Sequence, residues 1–471
     1  MSSISALSSL LGSSSSSIDL SSILEAAYGA SSPGLDVTSA VSSAITAARA
    51  PEQAWETQES TLQSQVSALT QIQTDTTNLD NDVQALNSLT GPMSARTVSS
   101  SNSSVVSGTA ASGSTAGSHV VVVGNLATTA SWTSATYASS SATVPAGSFT
   151  ITNGSGTSAT VTTDGTQTLS GVASQINADN LGVTASVVTD STGSRLAIIA
   201  NSSGSTANFS ITPSGSSGLG FTQAVTGVNA SLTVDGISIS SATNTVTSAI
   251  PGMTLSLLGA DPGVQVSLQV APNTTQATTA INQFVTDYNT VITDLANQFT
   301  FSGSSQGVLA DDSTVRNLQT AVLGALDYTA TPSTGETSTT IPNLSSLGIT
   351  VGNDGTLSVN SSALQSALDN NFSDVQNFFQ GSSLNGFANS LDQQLTNFLS
   401  PADGAFTVDL SSMNSQVTDL QTDVTNFETD YIAPLQTQLT SEYSQAEIEL
   451  QQLPTEMKQI DSEVGDNSSS S

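Results

Sequence analysis

The chain has 471 residues, a net charge of −32, only five basic side chains, no Cys and a single His. This composition excludes disulfides, thiolate metal sites and Cys nucleophiles, and it argues against binding to nucleic acid or anionic lipid, which needs clustered Lys or Arg. Charged residues are only 9% of the chain, so Ser, Thr, Asn and Gln must form most of the polar surface, which suits packing against other subunits.

The N-terminal part begins with a polar segment and continues into helix. Residues 1–40 are Ser-rich and too poor in apolar side chains to bury a core, so we expect a disordered terminal segment. Asp36 or Thr38 can cap a following helix, and Pro51 can interrupt or restart it. A long apolar stripe then steps by three and four residues until Gly-Pro at 91–92. The stripe positions expected to pack against a partner helix are Leu62, Val66, Leu69, Ile72, Leu79, Val83 and Leu86.

Strand signals dominate from about residue 97 to residue 271. Short alternating apolar runs are separated by turn pairs, and the segment around Asp235-Gly236 predicts a hairpin or a bent strand. Between these runs, apolar residues spaced by three and four from Leu169 to Ile176 predict a short helix. His119 precedes a run of four Val residues, so we interpret it as a polar residue at a strand edge rather than as a catalytic base.

Helical spacing returns after Pro272 and is interrupted by a small β insertion at about 334–360. A second long stripe closes the chain, and Pro434 and Pro454 predict that it is kinked or segmented. Its predicted packing positions are Val417, Leu420, Val424, Phe427, Tyr443, Leu450, Leu453, Met457 and Ile460.

These patterns predict an α+β fold. Both chain ends would form one discontinuous helical leg domain, a coiled coil or bundle with β-rich domains inserted, and Leu69, Ile72 and Leu79 would pack against Val417, Leu420 and Val424. The predicted ranges are 1–40 for the terminal segment, 41–92 for the N-terminal helices of the leg, 93–130 with 229–271 for a β-rich domain, 131–228 for an outer β-rich domain, 272–440 for the C-terminal part of the leg, and 441–471 for a helical or disordered end.

No pattern predicts a catalytic, cofactor or metal site, so we expect a non-enzyme without a cofactor. Asp311-Asp312 is interpreted as the start of a helix, and Asn353-Asp354-Gly355 as a hairpin turn that lacks the ligand series of a calcium loop. No apolar run is long enough for a membrane span, so no membrane insertion is predicted. The N-terminus carries no Sec-type signal, which predicts cytosolic residence or export by a route that cleaves nothing.

Seven groups of short motifs follow one another along the chain. They are Gly34 to Val37 with Ala47 to Pro51, Ala116-Gly117 with Asn125 to Ala127, Leu169 to Asn177 with Gly182 to Ala185, Val234 to Gly236 with Asn244 to Val246 and Ile250 to Leu255, Phe284 to Asn289, Leu309 to Arg316, and Leu347 to Leu357. In this order, they resemble the flagellar hook-associated protein 2 family of filament capping proteins.

The resemblance implies a ring of identical subunits at the distal tip of the bacterial flagellar filament, which promotes refolding and insertion of exported flagellin and prevents its loss. It also implies flagellin, the hook–filament junction proteins and a cytosolic export chaperone as partners, and export through the flagellar type III apparatus without a cleaved signal. A secreted β-rich adhesin with a coiled-coil stalk is the alternative, although its stalk would lie at one terminus. A polysaccharide hydrolase is less favoured, because the β region has few acids.

Overall fold

The computed structural model describes residues 36–214, 219–300, 306–330, 341–381 and 383–467. The chain divides into two compact units. The first comprises residues 1–77, 290–322 and 394–471, and the second comprises residues 78–289 and 323–393.

Helices make up most of the described residues toward both ends of the chain. The helices in the described ranges are α1 (Val37–Ala48), α2 (Ala50–Asn87), α3 (Leu169–Ala178), α4 (Thr274–Phe299), α5 (Ser313–Ala325), α6 (Ser361–Asn370), α7 (Phe372–Gln380), α8 (Phe387–Leu399), α9 (Ala405–Phe427) and α10 (Ala433–Asn467). A π-helical segment, Glu428–Ile432, joins α9 to α10.

The strands lie almost entirely between α2 and α4. They are β1 (Arg96–Ser100), β2 (Val106–Ala110), β3 (Gly117–Asn125), β4 (Thr129–Thr133), β5 (Gly147–Thr152), β6 (Ser158–Thr163), β7 (Val183–Asp190), β8 (Gly193–Ser203), β9 (Ser210–Ser214), β10 (Thr222–Val225), β11 (Ala230–Val234), β12 (Ile237–Ser241), β13 (Thr245–Val246), β14 (Met253–Leu257), β15 (Val266–Pro272), β16 (Ile349–Val351) and β17 (Leu357–Val359).

The first β core contains two antiparallel sheets, with strand orders β1-β15-β3-β11-β12 and β13-β14-β2. In the centre of the larger sheet, Val121 of β3 pairs with Val266 of β15 on one side and with Val234 of β11 on the other. All three Val side chains belong to one buried cluster. The hairpin between β11 and β12 turns at Asp235 and Gly236, which have φ of 49° and 84°, as the primed turn of a two-residue hairpin requires. The first β core is thus built from strands that precede and strands that follow the chain segment between β3 and β11.

The second β core lies within the insertion between β3 and β11. Its sheets have strand orders β10-β4-β8-β7 and β6-β5-β9, and α3 packs on them with Leu169, Val172 and Ile176 fully buried. Asn177 fixes α3 to β7, because its amide donates to the Ala185 carbonyl oxygen at 2.9 Å and its Oδ1 accepts from the Ala185 amide at 2.7 Å. The short helix predicted from the sequence is therefore confirmed.

Helices of the second unit surround an aromatic cluster. Phe387 lies at its centre, with ring centroids 5.4 Å from Phe378, 5.7 Å from Phe284, 6.0 Å from Phe379 and 6.1 Å from Tyr328. Gln380 ties α7 to the end of α2, because its Nε2 donates to the Ser88 carbonyl oxygen at 2.9 Å. Residues 323–393 belong to the same unit as the β-rich part of the chain, whereas the predicted leg places them with the chain ends. The predicted domain boundaries stay a prediction.

Two local expectations need correction. The predicted disordered segment 1–40 overlaps α1, which begins at Val37 because the Asp36 side chain accepts from the Ser39 amide at 3.1 Å and caps the helix; residues 1–35 lie outside the described residues. Segmentation at Pro454, one of the two predicted alternatives, is not observed, since α10 runs through that residue. The interruption lies at the π-helical segment before Pro434, where the missing Pro amide leaves a carbonyl without its usual donor.

The predicted small β insertion is described from residue 341 onward. Its described strands are β16 and β17, which pair from Ile349↔Val359 to Val351↔Leu357 around the expected Asp354-Gly355 turn. Asp354 Oδ1 accepts from the Thr356 amide and hydroxyl, which lowers the pKa of this carboxyl and satisfies it within the turn. Residues 331–340, which include the start of the predicted insertion, lie outside the described residues.

Candidate functional site at the paired chain ends

Helix α1 lies against the region where α9 passes into α10. Val41, Ile45 and Ile432 are buried together at this contact. The half-buried side chains packed around them are Val37, Ala48, Phe427, Leu435, Leu439 and Tyr443. The apolar positions of α1 recur at steps of three and four, so one face of the helix is apolar and is covered by the other end of the chain. The two chain ends are therefore joined within one unit.

An ion-paired triad lies at the end of this contact. Arg49 donates from Nη1 to Glu52 Oε2 at 2.9 Å and from Nη2 to Glu428 Oε2 at 2.9 Å. Glu52 is buried, and burial raises the pKa of its carboxyl, with a hydrogen bond to Glu428 acting in the same direction and Arg49 opposing both. Because Arg49 lies between two carboxylates from opposite ends of the chain, it holds α2 to the π-helical segment.

Aromatic and amide contacts extend the pairing along α2 and α9. The Trp55 and Phe427 rings pack in a T-shaped arrangement with centroids 5.4 Å apart, and Phe427 stacks on Tyr431 at 5.2 Å. Further along, Gln421 Nε2 donates to Glu59 Oε1 at 2.7 Å. Trp55 thus contributes to a packing contact between the two ends of the chain.

A shallow groove of about 520 Å³ opens between α1 and α10. Val37, Val41 and Ile45 form its apolar wall, while Arg49 and Gln436 supply polar groups. Beyond Tyr443, α10 carries the same apolar stripe past this contact, and Leu450 and Leu453 are 42% and 48% exposed. This stripe has the spacing that a partner helix covers in a coiled coil.

The predicted packing residues fall into four groups. Those buried in the structure are Leu62, Leu69, Ile72, Leu79, Val83, Leu86 and Leu420. Those half-buried are Val66, Val417, Val424, Phe427 and Tyr443. Leu450 and Leu453 are exposed, and the side chains of Met457 and Ile460 lie outside the described part of α10.

The specific pairing predicted between the stripes remains a prediction. Leu69, Ile72 and the three C-terminal positions belong to the first unit, whereas Leu79 belongs to the second. The triad around Arg49 was not predicted from the sequence. The available signal was the scarcity of basic residues, since one of only five lies two residues before Pro51.

Other polar candidates have structural roles. Asp312 Oδ1 accepts from the amides of Thr314 and Val315 at 2.7 and 3.1 Å, so it caps α5 as predicted. His119 lies on β3, and its Nδ1 is 2.8 Å from Asp235 Oδ2 in the β11–β12 turn. In the described ranges, no three acidic or His side chains come together as metal ligands, and no helix is long and apolar enough to cross a membrane.

Two models of one protein family match the N-terminal and the C-terminal parts of the chain. The sequence model of the flagellar hook-associated protein 2 N-terminus matches residues 33–130, and that of its C-terminus matches residues 227–458. Together they cover more than half of the chain. The chain belongs to the flagellar hook-associated protein 2 family. A third model, the flagellin hook IN motif, matches residues 148–202, which run from β5 through α3 to β8 in the second β core of this family member.

Relatives and solved structures agree with this membership. The A-type flagellar hook-associated protein 2 of Pseudomonas aeruginosa is 32% identical over 192 residues, which cover 39% of this chain and 38% of the relative. The B-type protein of the same species is 26% identical over 245 residues, covering 49% and 48%. The alignments therefore span less than half the length of these two relatives.

The crystal structure of the D1-D2-D3 domains of the flagellar cap protein FliD from Escherichia coli superposes with a TM-score of 0.58 at 25% identity. The superposition covers 74% of this chain and 99% of the other. The predicted α+β class, with helical ends and inserted β-rich domains, is confirmed by this likeness and by the element order.

Proposed function

We propose that this chain caps the distal end of the bacterial flagellar filament. Copies of it would form a ring at the tip, which promotes refolding and insertion of exported flagellin and prevents the loss of flagellin to the medium. The proposal gives the chain a structural rather than an enzymatic role. The family membership supports the flagellar setting, and the name of the Escherichia coli FliD structure supports the cap.

The observation that carries the proposal is the meeting of both chain ends in one helical unit. Arg49 bridges to Glu428, and Trp55 packs on Phe427. The exposed stripe at Leu450 and Leu453 then extends beyond this contact. In the proposed cap, the stripe packs on a helix of a filament subunit and the β cores contribute to the plate of the ring. A charge-poor surface rich in hydroxyls and amides favours contact between like subunits in closed symmetry.

The remaining parts of the proposal concern the route to the tip. We infer that a cytosolic export chaperone holds the chain before secretion and that the flagellar type III apparatus exports it without cleavage. At the tip, it would meet the hook–filament junction proteins before filament growth starts, and flagellin afterwards. The exposed apolar stripe on α10 is also the kind of surface that a chaperone covers before assembly.

The test is deletion of the gene in the organism that encodes this chain. We expect the deletion strain to release flagellin into the culture medium as unassembled protein and to lack filaments, and the full-length chain supplied in trans to restore both. Immunoblotting of flagellin in cell and medium fractions provides the measurement. Filaments of normal number and length in the deletion strain, with flagellin in the filament fraction, would contradict the proposal.

A further inference from the structure

Helices of the second unit bring acidic side chains together without basic partners. The parts of this unit outside the two β cores, residues 78–93, 272–289 and 323–393, contain no Lys, Arg or His. Carboxylates that meet there cannot be neutralised by a salt bridge within these segments. Burying an uncompensated charge is costly, so such a carboxyl either takes up a proton or finds another cation.

The first pair is formed by Asp80 of α2 and Asp392 of α8. One amide serves both, because Gln84 Nε2 donates to Asp80 Oδ2 at 2.7 Å and to Asp392 Oδ1 at 3.2 Å. Asp80 is only 9% exposed, and its Oδ1 is buried without a hydrogen-bond donor. Burial first, and then Asp392, raise the pKa of Asp80 to about 6, while Gln84 opposes the shift.

The second pair lies on the same stretch of α2. Asp82 faces Asp287 of α4, and Asp82 Oδ2 is buried without a donor. Gln283 supports Asp287 by donating from Nε2 to Oδ2 at 3.1 Å. Burial, followed by the hydrogen bond and charge of Asp287, raises the pKa of Asp82 to about 7.

The arrangement recurs in the first unit, where Asp75 faces Asp294. Gln71 Nε2 donates to Asp75 Oδ2 at 2.8 Å, and burial together with Asp75 raises the pKa of Asp294 to about 6. In each case, a Gln four residues away on one helix orients one carboxylate, and the facing helix supplies the second acid. The repetition of this pattern makes chance juxtaposition of two acids a poor explanation.

We propose that the Asp80–Asp392 and Asp82–Asp287 pairs each hold one shared proton. The packing of α2 against α4 and α8 in the second unit then depends on that proton and weakens as the medium becomes alkaline. In the protonated pair, one carboxyl donates to the other and satisfies the buried oxygen. When both are ionised, the two charges repel at close range and α2 is held less firmly to α4 and α8. The inference concerns the fold and does not rest on the proposed cap function.

The direction of the pH dependence follows from the raised pKa values. An unfolded Asp titrates near 4, so folding takes up protons above that pH. The stabilisation is complete below about pH 4 and is lost as the pH rises through about 6 to 7. The full-length protein should therefore melt at a lower temperature at about pH 8 than at about pH 5.

Five Asn variants of the full chain test this: Asp82→Asn, Asp287→Asn, the double variant of that pair, Asp80→Asn and Asp392→Asn. Melting is followed by far-UV circular dichroism at constant ionic strength from about pH 5 to about pH 8. We expect each single variant to lower the proton uptake on folding by about one. The two members of a pair should give equal effects, and the Asp82/Asp287 double variant should lose no more than either single variant.

Asp369→Asn is the matched control, because Asp369 also accepts from a Gln four residues away, at 2.8 Å, but is exposed on α6. Its pH dependence should equal that of the unchanged protein. Three results would overturn the proposal. The melting temperature of the pair variants could depend on pH as it does in the unchanged protein, the effects of the two members of a pair could add, or the control could show the same change as the pair variants. CaCl2 or MgCl2 could instead restore the melting temperature of the unchanged protein at about pH 8. If the pair variants do not show this recovery, the pairs bind a metal cation and the proton proposal is overturned.

If Asp82→Asn does not fold, Asp287→Asn decides alone, because Asp82 has a buried oxygen without a donor, whereas Asp287 accepts from Gln283 at 3.1 Å.

Discussion

Replacing Leu79 with Asp should lower the free energy of unfolding by about 3–5 kcal/mol, the range for an uncompensated buried charge. Leu79 is fully buried on α2 and has relative exposure of 0%. The new carboxylate would come next to Asp80, which already lacks a donor for one oxygen. The loss therefore combines a missing apolar contact with a charge that the surroundings cannot neutralise.

Chemical unfolding followed by circular dichroism at 222 nm measures this loss. Asn78→Asp is the matched control, since it adds the same charge one residue away at an exposed position and should change the free energy of unfolding by less than about 0.5 kcal/mol. If Leu79→Asp costs no more than the control, then residue 79 faces solvent in the protein and the helical packing described for α2 is wrong.

The same variant also separates helical from β stability. Trp132 lies in the second β core, where its Nε1 donates to the Phe209 carbonyl oxygen at 3.1 Å, so in a Trp55→Phe background its fluorescence reports that core alone. We expect Leu79→Asp to lower the denaturant midpoint of the helical transition, seen by circular dichroism, while the midpoint seen by Trp132 fluorescence stays unchanged. A joint shift of both signals would mean that the helices and the second β core unfold as one.

Deleting residues 447–471 should abolish motility while leaving the folded protein almost unchanged. The cut preserves Tyr443, the last residue of the contact with α1, and removes a part of α10 whose described apolar side chains are exposed. Exposed side chains contribute little to folding, so the free energy of unfolding should change by less than about 0.5 kcal/mol. Motility would be lost because the proposed cap binds the filament through this apolar stripe.

Full-length variants show whether motility depends on the apolar stripe of α10 or only on the length of that helix. Leu450→Ser with Leu453→Ser removes the apolar side chains on the stripe that continues from Tyr443, whereas Ile448→Ser removes an exposed apolar side chain from another face of α10. We expect the double variant to swim as poorly as the truncation in soft agar and Ile448→Ser to swim normally. Normal swimming by the truncated chain would exclude this end of α10 from capping.

Local sequence signals predicted much of the fold. The three-and-four spacing of the first stripe gave α2, and the Gly-Pro pair at 91–92 follows the end of that helix at Asn87. The turn at Asp235-Gly236 and the cap at Asp312 were also predictable, because short-range backbone geometry fixes both.

Long-range pairing was harder to predict. Arg49 and Glu428 are 379 residues apart, and nothing in the periodicity of either segment selects one for the other. The facing Asp pairs escaped notice for the same reason, since each acid taken alone resembles an ordinary polar residue on the outer face of a helix. The π-helical segment was hinted at by Pro434, but Pro454 carries the same signal and lies inside a continuous helix.

The position of the protein on the filament tests the central claim most directly. We would attach an epitope tag to the full-length chain, check that it restores swimming in the deletion strain, and label intact cells with gold-conjugated antibody for electron microscopy. The account predicts gold at the distal end of each filament and none along its shaft. Label spread along the shaft, or confined to the cell surface away from filament tips, would contradict it.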